Sequence, residues 1–215
     1  MLFTEKPDFE IVRKEANYFL SKQNITDIFI ESKNFKLDEY NIFMDSIQHY
    51  VQIVSRPMSD FVDSAIEGCM VLKKGKINII LYDCDNAKER INHGILHEIG
   101  HICLEHTNDN KKSELEANFF ASLITVPDVA LWYIARYSKI NISPDFINKY
   151  FNVSYQSAEK KFETFCKNYQ WYSPNCYEKD IVLKLEPFLK NFINNFEVIN
   201  QGRIVKKDIV NFLNI

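Results

Sequence analysis

Between Asp85 and Glu105 two periodicities share one stretch of chain, and together they restrict the fold more than any other feature. Ile91, Ile95, Ile99 and Ile102 recur at i, i+4, i+8 and i+11, the spacing of one face of an α-helix. His93, His97 and His101 form a second stripe roughly opposite. Leu96 and Cys103 add apolar surface between the two, so this helix should be central and largely covered. Gly94 and Gly100 lie inside it, each about 1 kcal/mol worse than alanine in a helix interior. Two such residues in one helix predict that other backbone approaches closely there. Asn86, with Glu89 three residues on, suits a reciprocal capping pair, so the helix should start there and run to about Glu105.

The surrounding pattern is that of a small α+β domain. Residues from about Asp8 to Ser21 read as an amphipathic helix through Ile11, Ala16, Phe19 and Leu20. The apolar stretch from Tyr40 to Ile47 reads as a second helix, and Tyr50 to Val54 as a short strand. The clearest hairpin joins Cys69–Leu72 to Ile77–Tyr82 through Lys73-Lys74-Gly75-Lys76. In its second run Ile77, Ile79 and Leu81 share one face, and Asn78, Ile80 and Tyr82 the other. After the central helix, another should span Lys112 to Thr125. Pro127 suits the first turn of the next, which runs to about Tyr137. Ser143-Pro144 and Ser154 suit the starts of two short helices, a hairpin from about Pro144 to Asn168. The tail beyond Tyr172 is helical in pattern and carries no assignable role.

Composition narrows the function classes. With 215 residues and 46% hydrophobic content, a real core can form. A net charge of −3 gives no global pull towards nucleic acid or anionic lipid. The first residues lack the basic-then-apolar pattern of a signal peptide, and no unbroken apolar run reaches bilayer-spanning length. Five scattered cysteines, an odd number with no C-x-x-C pair, read as reduced thiols in a cytoplasm.

The chemistry sits on the histidine stripe. Residues four apart on a helix lie about 6 Å apart at Cβ, so His97 and His101 can aim at one ion. Two neutral imidazoles suit zinc and leave room for a third protein ligand and a water. Glu98 lies about 100° round the helix from His97, beside the ion rather than on it, where a general base belongs. A third histidine at the spacing some zinc peptidases use is absent, so a carboxylate on the next helix is expected. Glu114 and Glu116 both qualify by position. Asn118, four residues after Glu114, favours Glu114, because it could hold a metal-binding histidine by a hydrogen bond; Glu116 has Phe120 in that place. His93 lies about 12 Å along the axis from His101. It cannot share the metal with both other histidines, and at most lines the cleft. His49 and His106 are not expected as ligands. Tyr82, Tyr133, Arg136 and His93 are all conceivable donors to a developing oxyanion.

The segment from Ile77 to Pro127 resembles the ImmA/IrrE family of metallopeptidases. The resemblance is carried by Leu96-His97-Glu98-Ile99-Gly100-His101, followed by Glu114-Leu115-Glu116-Ala117-Asn118-Phe119-Phe120-Ala121 and then Leu123 and Pro127. It implies His97, His101 and Glu114 as ligands of one zinc ion, with manganese a possible substitute, and Glu98 as base. It also implies helices packed on a small mixed sheet in a zincin-like core, an edge strand beside the zinc cleft, and additional C-terminal helices. On this reading residues 1–130 form the peptidase domain, 131–170 a helical hairpin packed on it, and 171–215 a helical tail. Known members cleave helix-turn-helix repressors in mobile elements or stress responses. A repressor or antitoxin is therefore the expected protein substrate, in the cytoplasm, with neither nucleic acid nor membrane as direct partner. One alternative is a peptidase-like module that sequesters a DNA-binding partner uncut, against which the intact Glu98 argues. Another makes Asn148 to Phe165 a DNA-reading helix-turn-helix. There Lys160 and Lys161 are offset by Glu159 and Glu163, which gives no basic recognition face.

Overall fold

The computed structural model describes residues 6–46, 69–108 and 110–201. In chain order they form helix α1 (Phe9–Lys22), strands β1 (Ile42–Ser46), β2 (Cys69–Lys74) and β3 (Ile77–Tyr82), then helices α2 (Lys88–Cys103), α3 (Lys111–Thr125), α4 (Asp128–Tyr137), α5 (Pro144–Phe151), α6 (Tyr155–Asn168) and α7 (Cys176–Gln201). The class is α+β, with helices dominating a small mixed sheet, as the sequence predicts.

The hairpin β2–β3 pairs antiparallel, from Cys69 opposite Tyr82 to Lys74 opposite Ile77. Its turn passes through Gly75 at φ 64°, a left-handed conformation that glycine adopts without a Cβ penalty. On the other side of β3, strand β1 runs parallel, from Ile42 opposite Asn78 to Ser46 opposite Tyr82. The strand order is therefore β1-β3-β2. Ile80 and Leu81 point to opposite faces and are both buried, so the C-terminal part of β3 is covered on both sides.

Three expectations need correction. Residues 40–46 do not form an α-helix, and Ile47 lies outside the described residues. A 3₁₀ turn at Asp38–Tyr40 ends on Asn41 at φ 52°, and the chain then extends as β1. The apolar run is too short for periodicity to separate strand from helix, and pairing with β3 decides it; the Asn78 N–H also donates to the Asn41 carbonyl (2.8 Å). The proposed strand at 50–54 lies outside the described residues. Second, Asn86 does not cap α2. Its side chain donates to Asp83 Oδ2 (2.8 Å), Ala87 stands at the N-cap with no side-chain bond, and the helix ends at Cys103. Third, the glycines of α2 meet side chains rather than backbone. A Cβ on Gly94 would lie 2.6 Å from Cys69 Sγ, and one on Gly100 would lie 3.2 Å from Phe120. Residues 111–137 are apolar enough by mean hydropathy to cross a membrane, but this stretch is mostly buried and consists of α3 and α4, with Pro127 at the N-cap of α4.

The predicted caps of the helical hairpin are in place. Ser143 accepts from the Phe146 N–H and Ser154 from the Ser157 N–H. Asn110 and Ser113 form a reciprocal capping box at the start of α3. One hydrophobic cluster draws on α1 (Phe19, Leu20), α2 (Ile95, Leu96, Ile99), α3 (Phe120, Ile124), α4 (Leu131, Ile134) and α7 (Ile181, Leu185). Lys184 of α7 donates to the carbonyls of Ser21 and Gln23 at the end of α1, where a cation suits the helix dipole. Buried Leu96 and Ile99 leave the histidine stripe as the less covered side of α2, and that side carries the polar centre.

Candidate metal centre

Helical spacing alone puts His97 and His101 one turn apart on α2. Glu114, in the first turn of α3, meets them because α2 and α3 pack closely at Gly100 and Phe120. His97 Nε2 lies 3.0 Å from His101 Nε2. Glu114 offers Oε2 to His97 at 3.3 Å and Oε1 to His101 at 3.2 Å. This triangle can be tested against zinc. Metal–ligand bonds of 2.0–2.1 Å in a tetrahedron put ligand atoms roughly 3.3–3.4 Å apart. The observed separations, of which the two to Glu114 end on different oxygens of its carboxylate, are close to that; each donor atom carries a lone pair, and the donor set suits zinc or a similar divalent ion.

His97 sits below the ordinary histidine pKa, because burial and then the neighbouring His101 both disfavour its charged form. Neutral imidazole is the form that ligates. Asn118 joins the site to α3: its Nδ2 donates to the Glu114 carbonyl (2.7 Å), and its side chain is also hydrogen-bonded to His97.

The three ligand atoms open into a cleft of about 490 Å³ between β2 and α2. Cys69, Met70, Val71 and Lys73 of β2 line it opposite His97, Glu98, His101 and Ile102 of α2, with His106, Thr107 and Glu114 closing the rest. Glu98 is half-buried on this wall, next to His97. The Cys69 thiol, on the β2 wall of the cleft, is pushed up to about 12 by burial, then by Glu98 and Asp83.

Other residues singled out in the sequence lie elsewhere. Tyr82 borders a separate depression with Lys88, Ile91 and Asn92. His93 packs against His97, with ring centroids 6.4 Å apart, and burial followed by His97 holds it below the usual histidine range. The Tyr133 hydroxyl donates to Glu186 of α7 (3.2 Å), and Arg136 lies on α4. None of the four lines the cleft, so none is placed as an oxyanion donor. His49 lies outside the described residues.

His106, not expected as a ligand, and Glu116, the alternative to Glu114, stand together beside His101. His106 Nδ1 is 3.0 Å from His101 Nδ1, and His106 Nε2 is 3.0 Å from Glu116 Oε2. The signal for His106 is structural: Glu105 takes φ 54°, which turns the chain back so that the His106 N–H reaches the His101 carbonyl (2.9 Å).

A histidine pair on one helix, a glutamate between them, and a second carboxylate from the next helix define a metallopeptidase-like protein. The chain matches the IrrE N-terminal-like domain family over residues 55–163, just over half its length, and belongs to that family. A search of curated proteins finds no match.

Proposed function

We propose that the protein is a zinc-dependent endopeptidase that cuts a helix-turn-helix repressor or antitoxin-like partner at one site. The observation that carries the catalytic part is the convergence of His97, His101 and Glu114 on one point, with Glu98 beside it in an open cleft. His97, His101 and Glu114 would hold a zinc ion there, or manganese as a substitute, and the ion would supply Lewis acidity to a water and to a peptide carbonyl. Glu98 then takes the water's proton and delivers it to the leaving amine. Asn118 keeps the His97 ring in place through both steps.

The hairpin supplies the peptide-binding wall, but not through both of its strands. Ile77–Tyr82, β3, is central and paired on both sides. Among the described residues β1 and β2 are the two edges, and of these β2 lines the cleft. An extended peptide would add along β2 by backbone hydrogen bonds. The cut would therefore fall in a linker or a locally unfolded segment of the partner.

Family membership supports the choice of a repressor, and five unpaired cysteines support action in a reducing cytoplasm. Nucleic acid is not proposed as a partner. Lys161, a candidate recognition cation, is buried against Asp128 at 2.7 Å. The test is to incubate the protein and zinc with the helix-turn-helix protein encoded beside it, then read products by mass spectrometry. A discrete cut is expected, slowed about 10²- to 10⁴-fold in Glu98→Gln with metal retained. Tight binding without any product, the same in wild type and variant, would replace this reading with a sequestering module.

A further inference from the structure

We propose that His106 and Glu116 are positioning residues of the metal centre, acting through His101 as a buried histidine–carboxylate relay that orients this ligand and strengthens its hold on the ion. The proposal rests on the metal-site reading above. It assigns a role to two groups that the site needs neither as ligand nor as base.

The hydrogen bonds admit one consistent assignment. His101 ligates through Nε2, so its ring proton lies on Nδ1. That N–H donates to His106 Nδ1 (3.0 Å), which must then be the acceptor. The His106 proton lies on Nε2 and donates to Glu116 Oε2 (3.0 Å). The other oxygen, Oε1, accepts the Asp8 backbone N–H (2.7 Å). Each proton in the chain has one place to go, and the relay ends on a fixed main-chain donor. The imidazoles stand nearly perpendicular, at 74°, so His106 fixes the rotation of the His101 ring as well as its tautomer.

Burial gives the relay its weight. The side chains of His106 and Glu116 are only 12% and 8% exposed. Among the described residues, Glu116 pairs with His106 and with no lysine or arginine. A buried carboxylate without a cation is costly, unless the positive charge that balances it arrives from outside. A divalent ion on His101 supplies that charge along the hydrogen-bonded line, and the carboxylate in return makes His101 a stronger base. Asp8 is the N-cap of α1, so the start of that helix is tied to the same line.

A purely structural role, Glu116 pinning α1 to α3, is the competing account, and the two differ in what they predict for metal. Zinc affinity should be measured by chelator competition on wild type, His106→Ala, Glu116→Gln and the double variant, with the visible spectrum of each cobalt-loaded form and the melting of each metal-free form. His106→Ala should weaken zinc about 10- to 100-fold. Glu116→Gln keeps the shape but has one acceptor oxygen where two N–H groups need one each, and should weaken it less. The double variant should be no weaker than His106→Ala alone, because the residues act in series. His106→Asn, whose Oδ1 replaces Nδ1 as acceptor, should recover part of the loss. The cobalt band should shift in both single variants. Wild-type affinity in the folded single variants, or losses that multiply in the double, would overturn the relay. Wild-type affinity in Glu114→Ala would instead overturn the metal-site reading beneath it.

Discussion

Two polar clusters lie inside this fold, and each is built round a carboxylate. Where α2 meets α3, Glu114 faces His97 and His101, and its ion pairs among the described residues are with those two rings. Where α1, α4 and α6 meet, Asp128 is gripped by Arg13 and by Lys161. Burial pushes the Asp128 carboxyl up, but Lys161 and then Arg13 more than reverse this, and it settles below its ordinary value. The second cluster is complete within the chain: its cations belong to the fold, and its atoms are spent on one another. In the first, three lone pairs point at one spot in an open cleft, and the compensating positive charge must come from a bound ion. A carboxylate facing nitrogen groups is thus common to both, and the direction in which the donors point separates a site from a joint.

The largest effect that would break this comparison is on metal content. Wild-type protein should carry about one zinc per chain, and His97→Ala or Glu114→Ala should carry almost none. Asp128→Ala should keep full occupancy while folded. Elemental analysis of the purified variants reads this directly. Metal lost in Asp128→Ala, or kept in Glu114→Ala, would mean that the clusters do not divide the work in this way.

Stability should show the opposite order. Asp128→Ala leaves Lys161 buried without a partner, and breaking a buried pair costs about 3–5 kcal/mol. Urea unfolding of the metal-free proteins should show that loss in Asp128→Ala and a smaller one in Glu114→Ala, whose side chain is 47% exposed. The pH dependence follows from the sign of the shift. Asp128 is depressed in the folded state, so its stabilisation is complete above its unfolded value of about 4. It is lost as pH falls through the lower folded value. Wild type should therefore lose stability in acid below about pH 4, and Asp128→Ala should show a flatter acid limb.

The same contrast explains what could be read without coordinates. His97 and His101 were legible because four-residue spacing on a helix is a local property. The β2–β3 hairpin and the caps Ser143 and Ser154 were legible for the same reason. The Asp128 joint was not, since Arg13, Asp128 and Lys161 lie far apart in sequence and meet only in the packed fold. Strand β1 was misread because its state is set by pairing with β3. Which strand forms the edge was not legible, because strand order is a tertiary fact. The contact between His106 and Glu116 was not legible either, because it needs the left-handed turn at Glu105 and the close passage of α3. At Asn86 a local rule lost to a local competitor, the carboxylate of Asp83.

Gly100 offers the smallest effect and the finest test of what builds the metal cluster. Alanine there should gain about 1 kcal/mol from helix propensity. Its Cβ would also sit 3.2 Å from Cβ, Cγ and Cδ1 of Phe120, a ring with no exposed surface. Overpacking of that kind costs about 1–3 kcal/mol, so a net loss of about 1 kcal/mol is expected. One of the three close atoms is Phe120 Cβ, which is fixed to the backbone of α3, so turning the ring cannot relieve that contact and α3 should move outward from α2. That motion carries Glu114 away from His97 and His101 and opens a triangle whose edges are now 3.0–3.3 Å. Gly100→Ala should therefore weaken zinc binding by more than its small stability loss implies, with Asp128 and its partners undisturbed. Chelator competition beside urea unfolding separates the two quantities. If stability falls while zinc affinity holds, the ligand triangle is set within each helix and not by the closeness of α2 to α3.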